Sequence, residues 1–203
     1  MTLINDWTLW KRRNTVNDVK NLILDKAQER MERFGFRKTT MDEISKDCRI
    51  SKKTIYEHFE DKEDMFRCLL LRECHKTIEI LFSQMGDISD PLERLVLLTR
   101  NAISHFNQDH FVTRILKDDE LFLAFVNRKY HEIIDEEIIS IIAKIIHEGK
   151  QQGQFRDVDE RIVAYAGFKL FQAFSYARTG PLRKDQDYTE ILIDFFVNAL
   201  VKK

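Results

Sequence analysis

Two prolines and six glycines in 203 residues leave this chain almost nothing that breaks a helix. Apolar side chains recur at steps of three and four residues along most of its length, so the pattern dictates an all-α fold rather than a sheet. No Asn-Gly or Asp-Gly pair is present to turn a hairpin. A chain of this length buries a sizeable core without disulfide or metal support. Its three cysteines, Cys48, Cys68 and Cys74, are an odd number with no Cys-x-x-Cys pair. Neither a disulfide framework nor a zinc centre is therefore expected, and a reducing compartment fits best. The opening MTLINDWTLWKRRN lacks the apolar run of a secretion signal, and no segment approaches the roughly 20 apolar residues of a membrane span. The reading is a soluble cytoplasmic protein with no membrane partner, no cofactor and no metal.

The punctuation of the first seventy residues is dense. Residues 17 to 34 place Val19, Leu22, Ile23, Ala27, Met31 and Phe34 on one helical stripe that stops at Gly35. Thr39 or Thr40 then caps a short helix with Asp42 or Glu43 in its first turn and Met41, Ile44 and Cys48 on its buried edge. It ends near Arg49. Ser51 caps a third helix whose Ile55 and Phe59 face inward together at the i, i+4 spacing, and Asp61 opens a fourth. Two short helices joined by a three to four residue turn, the second polar on its outer side, form the pattern of a helix-turn-helix.

Charge marks the same stretch. The formal net charge is −1, so contact with nucleic acid has to come from a local patch. Between Arg37 and Lys53 six basic residues (Arg37, Lys38, Lys46, Arg49, Lys52, Lys53) stand against three acidic ones (Asp42, Glu43, Asp47). With Ile55 and Phe59 turned inward, Lys53, Tyr56 and Glu57 fall on the opposite side of the third helix. Lys52 and Lys53 bring positive potential to a helix N-terminus, while Thr54, Tyr56 and His58 offer hydrogen bonds to phosphates or base edges. The bland alternative is a solvated helix face with Glu57 paired to Lys53.

The stretch TTMDEISKDCRISKKTIYEHFEDKEDMF, residues 39 to 66, resembles the DNA-binding segment of the tetracycline-repressor (TetR) family of bacterial regulators almost position by position. The family's Tyr-x-x-Phe is Tyr56 to Phe59, and the Lys that opens its next helix is Lys62. The resemblance implies that Thr40, Tyr56 and Lys62 bind phosphates, and that Ser51, Lys52, Lys53 and Thr54 approach base edges. His58 occupies a position where the family commonly has His or Tyr. One departure is Arg49, which stands where the family usually has Gly. Keeping the turn then asks a non-glycine residue for a positive φ, at a cost of order 1 kcal/mol. Arg49 offsets that cost by reaching a phosphate or simply faces solvent; both readings stay open.

Beyond residue 70 the helices are longer and more apolar. Asp90-Pro91-Leu92-Glu93 starts one of them. Residues 118 to 148 read as one long or kinked helix, Gly149 to Gly153 as a break, Asp159 to Arg178 as a further helix stopped by Gly180-Pro181, and Tyr188 to Val201 as the last. Ile162, Ala166, Leu170, Phe174 and Ala177 form one stripe, and Ala164, Gly167 and Phe171 a second. That is more apolar surface than one core requires. Ile191, Leu192, Phe195, Phe196, Ala199 and Leu200 repeat the pattern. The segment GQFRDVDERIVAYAGFKLFQAFSYA, residues 153 to 177, resembles the one that in TetR proteins leads into two helices pairing with their copies in a second subunit. The expected dimer interface is Ile162, Ala166, Leu170, Phe174, Phe195, Phe196 and Ala199. A two-fold dimer reads two half-sites about 34–36 Å apart, so a palindromic operator is expected.

The resemblance also implies a pocket for a small-molecule inducer, with Phe106, Phe111, Phe122, Phe125 and Phe168 among the aromatics around it and His105, Arg114 and Tyr165 to orient the ligand. The same aromatics serve equally as plain core. The organisation read from the chain is an N-terminal arm (1–16), a three-helix helix-turn-helix DNA-binding domain (17–62) and a larger helical ligand-binding and dimerisation domain (63–203). Catalysis finds little support: no His-Glu-x-x-His spacing and no glycine-rich phosphate loop occur. The expected function is a sequence-specific, ligand-responsive repressor, not an enzyme. The rival is a DNA organiser or cell-division regulator acting through protein partners without an inducer.

Overall fold

The computed structural model describes residues 18–117, 130–175 and 188–202. Those residues are helical apart from turns and one isolated antiparallel bridge between Phe155 and Val201. They divide into two compact units between residues 70 and 71.

In the first unit, α1 (Asp18–Phe34) buries Ile23, Leu24, Ala27 and Met31. The expected stripe is wider than the buried one: Val19, Leu22 and Phe34 are exposed. Only the strip of Ile23, Leu24, Ala27 and Met31 goes inside. Thr39 is fully buried, its hydroxyl donating to the Gly35 carbonyl at 2.9 Å, which leaves Thr40 as the cap of α2 (Met41–Cys48). Thr40 and Glu43 form a reciprocal capping box. α2 closes through Arg49, whose backbone is left-handed at φ 57, ψ 37, with Arg49 N–H donating to the Lys46 carbonyl and Ile50 N–H to that of Ser45.

Ser51 caps α3 (Lys52–Tyr56) by accepting from Thr54 N–H at 3.1 Å. The helix ends at Tyr56, so Phe59 is not part of it as expected; Phe59 N–H still donates to the Ile55 carbonyl, and the ring is buried beyond the turn. The chain then enters α4 (Lys62–Ser83), where Asp61 accepts from Asp64 N–H and Asp64 accepts from Glu60 N–H. Residues 62–70 of α4 belong to the first unit and the rest to the second.

The second unit adds α5 (Pro91–Asn107), capped by Asp90 with Pro91 at its first position as the sequence suggests. It continues with α6 (Phe111–Lys117), α7 (Tyr130–Gln151), α8 (Glu160–Ser175) and α9 (Thr189–Leu200). α7 packs on α8 and α5, and α9 on α5. Ile103, Ile146, Phe155, Ala164, Leu192 and Leu200 centre the core. The break expected at Gly149 comes later: α7 runs through it to Gln151, and Gly153 takes the positive φ of 74. Gly149 serves packing instead, because a Cβ there would lie 2.2 Å from the Phe155 ring. The first twelve residues of the helix expected over 118–148, and the stop at Gly180-Pro181, fall outside the described residues. No described helix is long and apolar enough to cross a membrane. Among the described residues no group of three or more His, Cys, Asp or Glu could hold a metal ion.

Candidate nucleic-acid interface

α3 is only five residues long, so its position depends on what surrounds it: Ile55 and Phe59, both buried, anchor it from below. Lys53 and Tyr56 project on the outer side, and Tyr56 is 54% exposed. Among the described residues Lys53 has no ion pair, and the Lys53–Glu57 pair of the bland reading is absent.

The other expected contacts are already engaged in the fold. The Ser51 hydroxyl is the helix cap, and the half-buried Thr54 hydroxyl lies 2.9 Å from it. The Thr40 hydroxyl donates to Glu43 at 2.8 Å. Thr40 also helps to hold the Glu43 carboxyl below the ordinary range, ahead of Arg30. Lys52 Nζ pairs with Asp42 at 2.9 Å and Lys46 with the same carboxylate at 3.5 Å. These two lysines, Lys52 first, keep the Asp42 carboxyl low as well. His58 is half-buried with its ring 6.4 Å from that of Phe59. Lys62 Nζ donates to the Phe36 carbonyl at 3.1 Å and sits 4.4 Å from the centre of the Phe36 ring. Glu43 and Asp47 both bind Arg30, at 2.8 and 2.6 Å. Every carboxylate between 40 and 50 is thus neutralised inside the unit. Lys38, Arg49 and Lys53 are left without an ion pair among the described residues, and they carry the outward positive field. Lys38 was signalled in the sequence only by the six-to-three imbalance, whereas Arg49 was marked there by standing where the family usually has Gly.

In the second unit the structure brings some of the expected ligand residues together. Phe106 stacks edge-on with Phe171 at 5.4 Å and next to His105, and Phe168 lies 6.3 Å from Phe171. His105 also stacks on His110 at 4.4 Å, and burial, then His110, lowers its affinity for a proton. Phe111 is buried, Arg114 is exposed beside Asp109, and Tyr165 faces outward. Tyr165 lines an open groove of ≈ 490 Å³ with Glu132, Asp135, Glu136, Arg161 and Lys169 rather than joining the aromatic cluster. Phe122 and Phe125 fall outside the described residues. The buried hydroxyls of Thr113 and Ser175, which the sequence did not signal, have no hydrogen-bond partner among the described residues. On α8 and α9, Ile162, Ala166 and Phe195 are exposed, whereas Leu170, Phe174, Phe196 and Ala199 are half-buried. Tyr165 and Ile191 extend the exposed apolar face.

A capped helix-turn-helix with an uncompensated cationic side, ahead of a separate all-helical unit, defines a DNA-binding transcriptional regulator. Residues 23–69 match the family model described as bacterial regulatory proteins, tetR family, and residues 89–200 match that of the tetracyclin repressor-like C-terminal domain. The chain belongs to the TetR family of transcriptional regulators. It is similar to the uncharacterized HTH-type transcriptional regulator YhgD of Bacillus subtilis, 27% identical over 163 residues, 78% of this chain and 83% of the relative. It is also similar to the fatty acid metabolism regulator protein of the same organism, 26% identical over 184 residues, 88% of this chain and 91% of the relative. Its fold is that of AibR, solved in complex with isovaleryl coenzyme A and operator DNA: TM-score 0.57 at 22% identity, covering 90% of this chain and 97% of that one.

Proposed function

We propose that this regulator is a cytoplasmic repressor that binds a palindromic operator as a homodimer and leaves it when a small ligand, an acyl-coenzyme A thioester, occupies the second unit. The observation that carries the reading is the pairing of two outward features on one chain. Lys53 and Tyr56 stand exposed on α3, and Ile162 (66% exposed), Tyr165 (53%), Ile191 (59%) and Phe195 (58%) stand exposed on α8 and α9. Apolar side chains at that exposure on two successive helices call for a partner surface. A copy of the same helices supplies it by two-fold symmetry, which doubles the DNA-reading helices and accounts for a palindrome.

The ligand half rests on chemistry. The Thr113 and Ser175 hydroxyls, buried without a partner among the described residues, are groups that a ligand's polar atoms satisfy, and the Phe106, Phe168 and Phe171 cluster offers an apolar wall. An acyl ligand is favoured because one relative regulates fatty acid metabolism and one fold neighbour holds an acyl-coenzyme A. A ligand that binds more tightly to the form with low DNA affinity lowers operator occupancy by its differential affinity.

The test begins with selection of bound fragments from random duplex DNA. The winner is expected to be an inverted repeat, bound by two chains, and acyl-coenzyme A thioesters of graded chain length are expected to release it. An asymmetric site bound by one chain would remove the dimer. Insensitivity to the whole acyl series would remove the ligand class.

A further inference from the structure

Arg49 is the one non-glycine residue with positive φ among the described residues. Its left-handed backbone closes α2 and sets the turn into α3, and glycine adopts that conformation without the clash that a side chain brings. The fold by itself therefore favours glycine at this position. The arginine side chain returns nothing to the fold, since it is exposed and makes no ion pair or hydrogen bond among the described residues. The neighbouring cations differ. Lys46 and Lys52 are both held by Asp42, and Arg30 takes up Glu43 and Asp47, so among the described residues no carboxylate around the turn remains for Arg49.

We infer that Arg49 is a phosphate-contacting residue of the DNA interface, a guanidinium held at the turn against the backbone preference of its position. The inference rests on the DNA-binding reading of α3. Arg49 lies three residues before the first residue of that helix and four before Lys53, so the two uncompensated cations flank the N-terminus that Ser51 caps. A forked, permanently charged donor in such a place is suited to a phosphate oxygen pair, which fixes register on the duplex without reading sequence. Backbone strain concentrated at a binding element, with no compensating contact in the free protein, is what such a role predicts.

The experiment compares the full chain with Arg49→Gly, Arg49→Asn, Arg49→Lys and Lys53→Ala, by thermal melting and by the salt dependence of binding to a mixed-sequence duplex. Arg49→Gly is expected to raise the melting midpoint by about 2–4 °C while making the salt slope smaller by about one unit. Arg49→Asn, which tolerates the left-handed backbone, is expected to lose the same slope, and Arg49→Lys to keep it. A purely structural Arg49 would leave the slope untouched. If Arg49→Gly and Arg49→Asn bind with the wild-type slope while Lys53→Ala does not, the inference fails and the reading of α3 survives. If the wild-type chain shows no salt-dependent binding, both fall.

Discussion

Glu160 shows how single groups fasten this molecule. Its carboxyl is pulled down to about 2 by its own backbone N–H at the start of α8, then by Lys150 and His147, at 3.0 and 3.2 Å. Lys150 also pairs with Asp157 and donates to the Val158 carbonyl, so the cluster ties the end of α7 to the start of α8. Because the folded value lies below the ordinary 4.5, the stabilisation is complete above that pH and disappears as pH falls toward about 2. The melting midpoints of wild type and Glu160→Gln are therefore expected to differ by a constant amount at neutral pH and to converge on acidification below about pH 4.5. A gap that persists at about pH 2 would show that the carboxylate charge plays no part. At this scale the sequence was readable where a residue acts on its own backbone: Asp90 and Ser51 cap where the pattern put them, and of the two candidates Thr39 and Thr40 the second is the cap. Gly149 was misread as a break because its reason for being glycine is Phe155, six residues on, which no local pattern shows.

The element proposed to carry recognition is the shortest of the described helices. A five-residue helix is below the length that sustains itself in water, so α3 exists because Ser51 caps it and Ile55 and Phe59 pin it. Its inner and outer faces should separate under substitution. Ile55→Ala removes a fully buried side chain and is expected to cost about 2–5 kcal/mol of stability, taking DNA binding with it. Tyr56→Ala, on the exposed side, is expected to leave the melting midpoint within about 2 °C while weakening binding to DNA. Parallel melting and duplex-binding curves check both, and a Tyr56→Ala protein with wild-type affinity would show the outer face idle. Which of the lysines near α3 stay free was not legible beforehand, because Lys52 and Lys46 converge on Asp42 only once α2 and α3 are folded together. Lys62 turned inward for the same reason, finding the Phe36 carbonyl and ring across a gap of 26 residues in sequence.

For the whole molecule, the proposed pairing through the exposed Ile162, Tyr165, Ile191 and Phe195 ties stability to association. If the α8 and α9 face is covered by a second chain, the melting midpoint rises with protein concentration, and Ile162→Asp with Phe195→Asp abolishes that dependence and halves the mass seen by sedimentation. A concentration-independent midpoint with a single-chain mass would remove the proposed dimer. The sequence by itself determined the helical class, the caps and stops of the first seventy residues and the family, because those are written in neighbours a few positions apart, through hydrogen bonds to nearby backbone and the period of the apolar residues. Only the tertiary structure decided which members of each apolar stripe go inside, which cations remain unneutralised among the described residues, that Arg49 holds a left-handed backbone with no partner among them, and that α7 continues through Gly149. Each of those depends on a group distant along the chain or on the finished backbone, and burial and charge compensation are settled by what lies across the fold rather than by what lies next in sequence.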